Sequence, residues 1–171
     1  PMIISSAVTL LDLTMGGGAG AASVTVNAPL TVIEDIVVLT NSTLALNRPC
    51  VVSNGFHVMA GGTLTHSANG ATDVNKLIVN VCGNAGVDEN GRIDVMGKGY
   101  GPSQGPGAGS CASYGGLSGF DGGPCYGSIV APTNLGSGGG DLAGAGAIIF
   151  RVAGTFRNDG FIGADSINNV W

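Results

Sequence analysis

A chain of 171 residues with 10% charged and 44% hydrophobic positions is too apolar and too weakly charged for a disordered chain, and long enough to bury a core as a single domain over residues 1–171. Its net charge of −5 and six dispersed basic residues, Arg48, Arg92, Arg151, Arg157, Lys76 and Lys98, leave no footprint for nucleic acid, and no apolar run approaches the roughly 20 residues of a membrane span. Glycine fills 32 positions while aromatics make up 5%, which suits a thin, repetitive core rather than a thick one.

In chain order, the apolar stretch Met2 to Leu13 closes at Gly16-Gly17-Gly18 and predicts a short opening strand or cap. A signal peptide is excluded there because Asp12 interrupts the run and the first basic residue is Arg48. From Ser23 to His66 come brief alternations such as Val24-Thr25-Val26, Leu30-Thr31-Val32, Ile36-Val37-Val38, Cys50-Val51-Val52 and His57-Val58-Met59. They are broken at Asn27 to Pro29, Glu34-Asp35, Asn41, Asn47 to Pro49, Asn54-Gly55 and Gly61-Gly62. No helical period emerges, and strands this short suit the sides of a solenoid coil. The expected fold is therefore all-β, a parallel β-helix (β-solenoid) with inward apolar columns and Asn, Asp or Gly at the corners. An antiparallel sandwich is the alternative, and it would show longer strands, about five to six residues, joined by hairpins.

Two later segments share a pattern after a two-residue slip. Val81-Cys82-Gly83 leads to Val87-Asp88-Glu89-Asn90-Gly91-Arg92-Ile93-Asp94-Val95, and Val152-Ala153-Gly154 leads to Phe156-Arg157-Asn158-Asp159-Gly160-Phe161-Ile162-Gly163-Ala164. Their Asn-Gly and Asp-Gly corners are expected to use glycine at positive φ. Between them, residues 97–146 form a long glycine-rich insertion carrying Tyr100, Tyr114, Phe120 and Tyr126. Those rings predict an ordered excursion packed on the solenoid flank, with the glycines permitting close backbone approach. A Cys111–Cys125 disulfide is expected to staple it, since a crosslink removes most entropy from a loop. Cys50 and Cys82 are either a second pair or small buried hydrophobes. No C-x-x-C pair is present to suggest structural zinc.

Gly97-Lys98-Gly99-Tyr100-Gly101-Pro102, Gly105-Pro106-Gly107, Tyr114-Gly115-Gly116, Tyr126-Gly127-Ser128, Leu135-Gly136-Ser137-Gly138-Gly139 and the closing Gly146 to Asp165 segment resemble the glycine-rich β-helix module of very large secreted and cell-surface proteins of bacteria and protists. The resemblance covers about the last half of the chain. In that family the closing strand leads into another glycine-rich coil, whereas this sequence ends at Trp171 and starts at Pro1, as an excised or repeating segment would. The resemblance implies an extracellular, structural or adhesive role and transfers no catalytic residue.

The candidate chemistry is sparse. His57 and His66 lie in neighbouring strands, but no further ligands accompany them, so solvent-facing positions are expected. Asp88, Glu89 and Arg92 would join Arg157 and Asp159 if the two repeats stack, giving the carboxylates and base that a polysaccharide enzyme needs; solvated corner residues are the simpler reading. A calcium ion bridging coils is the one cofactor that paired carboxylates admit; otherwise none is expected. The sequon Asn41-Ser42-Thr43 is of a kind that arises by chance, the G-x-G triplets lack phosphate-loop spacing, and Thr63 with Thr65 make one row, not an ice-binding array.

Solenoid ends expose unpaired backbone, so Met2, Ile3, Ile4, Val8, Leu10 and Leu11 are the expected assembly contacts, as a strand donated to a neighbour. The leading expectation is a non-enzymatic extracellular or cell-surface subunit, structural or adhesive, associating with itself or with neighbouring modules in a filament or coat. The alternative is a β-helix that binds or cleaves carbohydrate, with a cell-surface glycan as partner.

Overall fold

A computed structural model describes residues 1–18, 20–119 and 121–166; Phe120 and Trp171 lie outside the described residues. The chain divides into two compact units. One comprises Pro1–His66, Leu77–Asp94 and Ile149–Ile162, the other Ser67–Lys76, Val95–Ile148 and the residues from Gly163 onward.

The described residues form sixteen short strands and no helix. The chain visits three sheets in turn. Its first passage lays down β1 (Met2–Ile4), β2 (Val8–Leu10) and β3 (Leu13–Met15), and its second β4 (Ala22–Val26), β5 (Leu30–Val32) and β6 (Ile36–Val38). The third gives β7 (Ser42–Leu46), β8 (Cys50–Val52) and β9 (Phe56–Val58), and the fourth β10 (Thr63–Thr65), β11 (Leu77–Val81) and β12 (Ala85–Val87). A fifth passage holds β13 (Arg92–Asp94), β14 (Ile148–Val152) and β15 (Phe156–Asn158), after which β16 (Phe161–Gly163) follows. Every third strand pairs, giving the orders β1-β4-β7-β10-β13-β16 (first sheet), β14-β11-β8-β5-β2 (second) and β15-β12-β9-β6-β3 (third). The strands run parallel, which rules out the hairpin-linked sandwich.

Three-residue strands succeed because alternation sends their first and third side chains inward and only the second outward. Leu30 and Val32 are buried around exposed Thr31, and Phe56 and Val58 around exposed His57. Register then stacks like on like: Leu30, Cys50 and Val79 form one column, Val32, Val52 and Val81 the next, and Ile36, Phe56 and Ala85 another. Each such aliphatic or aromatic side chain contributes about 1.5–3 kcal/mol on full burial. Phe56 also meets Phe150 edge to face, with centroids 5.5 Å apart.

The corners are built from three devices, the last two of them repeated. Asn47 Nδ2 donates to Asn27 Oδ1 at 2.7 Å across twenty positions of sequence. Before the third-sheet strands, a side-chain oxygen accepts the next passage's backbone N–H: Asp12 from Asp35, Asp35 from Gly55, and Asn84 from Thr155. After those strands, Asn41, Gly61 and Asn90 occupy the left-handed region at φ 58°, 73° and 65°. Turns closed by Ser42 N–H to Leu39 O, Gly62 N–H to Met59 O and Gly91 N–H to Asp88 O hold them there.

The two related segments do stack, with Ala85 opposite Phe156 and Val87 opposite Asn158. Their corner glycines serve a different purpose from the one expected. Positive φ falls on Asn90 rather than Gly91, and Gly160 is not among the positive-φ residues. A Cβ at Gly91 would sit 2.8 Å from Val58 O, and one at Gly160 2.4 Å from Asp88 O. These glycines are therefore demanded by close backbone approach.

The second unit is held by backbone bonds between irregular segments. Gly99 N–H reaches Gly144 O, Gly144 N–H reaches Tyr100 O, Tyr100 N–H reaches Gly136 O, and Gly136 N–H reaches Ala145 O. A Cβ at Gly138 or Gly144 would lie 2.0 Å from a carbonyl oxygen, so no other residue fits. Tyr114 and Tyr126 meet edge to face at 4.9 Å, and Tyr126 O–H donates to Leu135 O at 2.6 Å. Asn69 knits a further turn, accepting from Val74 and Asn75 N–H and donating to Lys98 O.

All four cysteines are free thiols, so the expected Cys111–Cys125 crosslink is not formed. The backbone of Cys111 bridges to Gly122 instead, and Gly109 to Gly139; glycine-mediated backbone bonding orders the insertion without a staple. Cys50 and Cys82 do not pair either, since Cys50 points into the core and Cys82 is exposed.

Candidate functional site

The outward row of the third sheet carries the richest chemistry. Register places Thr14, Val37, His57, Gly86 and Arg157 side by side on successive strands. Gly86 supplies the gap in which the His57 ring lies: a Cβ there would stand 3.4 Å from both Cε1 and Nε2. The ring bonds Asp88 through Nε2 at 2.8 Å from Oδ1. Arg157 is ion-paired through Nε to Asp159. Asp35, at the opposite corner, accepts from Gly55 N–H at 2.7 Å and Asn54 Nδ2 at 3.0 Å.

Val37, His57, Gly86 and Arg157 line a groove of about 470 Å³ together with Asp35, Asp88 and Asp159. A second, more open depression of about 680 Å³ shares Asp88, Arg157 and Asp159 with it and adds Glu89. Asp88 and Asp159 follow matched ends of β12 and β15, on strands about 4.8 Å apart. Asp88 is bonded to His57 and Asp159 to Arg157, so the two carboxylates present hydrogen-bond acceptors beside a guanidinium.

Asp88, Glu89, Arg157 and Asp159 thus come together as stacking of the repeats requires, while Arg92 leaves the group. It bonds Asp94 at 2.9 Å and lies 4.4 Å over the Phe161 ring. The histidines do not share a face: His57 is outward and His66 is fully buried, which corrects the expectation that both face solvent. Thr65 is buried too, and its hydroxyl donates to Asp94 O; only Thr63 remains on the outer surface. Among the described residues, no group of three or more His, Cys, Asp or Glu side chains is arranged to hold a metal ion. Asp35 and His57 were missed as members of the groove. The signal for them was the twenty-residue interval that also separates Asn27 from Asn47, which sets Val37 beside His57.

The N-terminal residues occupy their own sheets. Met2, Ile3 and Ile4 pair with β4, and Val8 and Leu10 with β5; Leu11 follows them, exposed. The stretch is therefore the first passage of this chain and not a strand held out for a neighbour. Strands β1, β2 and β3 end their sheets on one side, and β14, β15 and β16 on the other.

Comparison with protein-family models, curated proteins and solved structures found no match.

Proposed function

We propose that this chain is a glycine-rich parallel β-helix and a non-enzymatic extracellular subunit, structural or adhesive, whose terminal coils stack on other coils. Those coils belong to further copies of the chain or to neighbouring modules of one surface assembly. The observation that carries this reading is the pair of open ends. Among the described residues, each of the three sheets ends at both limits in a strand paired on one side only, and edges of this kind template further pairing. Apolar side chains accompany them: Met2, Ile3 and Leu11 at one end, and Phe156, Phe161 and Ile162 at the other, are exposed. Natural sheets protect free edges with charge, proline or bulges, whereas Ile3 stands 64% exposed in the middle of β1.

Sedimentation velocity over a concentration series tests this. The expected result is growth in sedimentation coefficient with concentration, abolished by Ile3→Lys combined with Leu11→Lys while the circular dichroism of the fold is retained. A single monomeric boundary at every concentration would remove the basis for assembly. Release of reducing ends from polysaccharides would contradict the non-enzymatic role.

A further inference from the structure

We propose that the partner at the coil ends is a second copy of this chain, seated head to tail and turned by one sheet. Its first sheet then continues the second sheet of the copy before it. This deepens the stacking reading above and rests on it.

Strand number fixes the turn. The chain visits the first, second and third sheets in that order, and among the described residues it completes five passages before adding β16 to the first sheet. The first sheet therefore holds six strands and the others five each. The next free place on the spiral lies over β14, followed by the places over β15 and β16. Strands β1, β2 and β3 of another copy fill these three places in order when that copy is turned by one sheet. With no turn, β1 stands over β16 while the rungs above β14 and β15 stay empty. With a turn of two sheets, β1 and β2 cover β15 and β16 but the rung above β14 stays empty. An empty rung holds two strand edges about 9.6 Å apart, twice the ladder spacing and too far to hydrogen-bond.

The side-chain columns accept the turned copy. Its inward column Val8, Leu30, Cys50 and Val79 continues the column Leu13, Ile36, Phe56, Ala85 and Phe156 of the copy before. Phe156, exposed at the end of its column and packed on Phe150 at 5.5 Å, is thereby covered by Val8. Met2 and Ile4 come over β14, and Leu13 and Met15 over β16, where Ile162 is exposed. One chain thus carries both halves of the contact on two different surfaces, which makes the contact heterologous and lets it propagate. Sixteen strands over three sheets advance about 26 Å per copy, and the same sheet returns into line after three copies, about 77 Å.

Disulfide trapping reads the turn directly, in a chain with Cys82, Cys111 and Cys125 replaced by Ser. The outward residue Thr9 shares its column with Thr31, Val51 and Asn80, which Arg151 bonds at 3.4 Å. An unturned copy therefore sets Thr9 in line with Arg151 of the copy before, whereas the turned copy sets it beside Arg157. On oxidation, Thr9→Cys with Arg157→Cys should give a ladder of crosslinked multimers, and Thr9→Cys with Arg151→Cys should give none. Helical reconstruction from electron micrographs of unsubstituted rods should return the rise of about 26 Å and a rotation of one sheet per copy. Circular dichroism checks the fold of each variant, and sedimentation its association. Crosslinking through Arg151→Cys, no ladder from an associating Arg157→Cys pair, closed dimers, or rods whose copies repeat without rotation would overturn the turn while leaving end stacking intact. Monomers at every concentration of the unsubstituted chain would overturn both.

Discussion

Gly83 and Gly86 lie three residues apart, one before β12 and one within it, and their substitution should have very unequal consequences. A Cβ at Gly83 would fall 2.2 Å from the backbone oxygen of Asn54, which cannot move without breaking the stack, while at Gly86 the nearest atoms are 3.4 Å away on the His57 ring. Gly83→Ala is therefore expected to destabilise by roughly 1–3 kcal/mol, as overpacking does, and Gly86→Ala by less than about 0.5 kcal/mol, measured by urea unfolding. Cys50 offers a second test. Burial pushes its thiol up to about 12 from 9.0, so between those values the unfolded chain loses this proton first and the folded state is destabilised as pH rises. Stability should fall above pH 9, and Cys50→Ala should flatten that slope. With Cys82, Cys111 and Cys125 exposed and free, three thiols should react with a thiol reagent in the native protein and the fourth only after unfolding. One reactive thiol would instead indicate that Cys111 and Cys125 are joined.

At the level of the elements, strands were readable from sequence because a three-residue strand needs only an in-out-in pattern, as in Leu30-Thr31-Val32. Their corners were readable because Asn, Asp and Gly have few other reasons to recur between apolar triplets. Which corner residue takes which role was not readable. Asn90 adopts positive φ while Gly91 merely yields space, a distinction set by the proximity of Val58 O. The burial of His66 and Thr65 was hidden for a similar reason, since their positions depend on the segment next in the stack; Thr65 reaches Asp94, 29 positions away. The groove was half visible. Repetition pointed to Asp88, Arg157 and Asp159, but His57 and Asp35 enter through register with earlier strands. Asn47→Ala tests this corner: it removes the 2.7 Å bond to Asn27, whose exposed side chain regains water, and should lower stability by roughly 0.5–1.5 kcal/mol.

Across the whole molecule, composition and assembly belong to one physical problem. A chain with few charges and many small residues can wind a slim core from valine and leucine columns, but such a winding leaves sheet edges at its limits that no side-chain pattern along its sides can satisfy. The same winding repeats outward positions at the strand spacing, which is how His57, Gly86 and Arg157 become neighbours. Electron diffraction or high-resolution imaging of the concentrated protein tests the central claim most directly. Rods with an axial repeat of about 4.8 Å, strands lying across the axis, are the expected result. Discrete particles of a single 16.7 kDa chain at every concentration, or rods lacking that axial repeat, would contradict it.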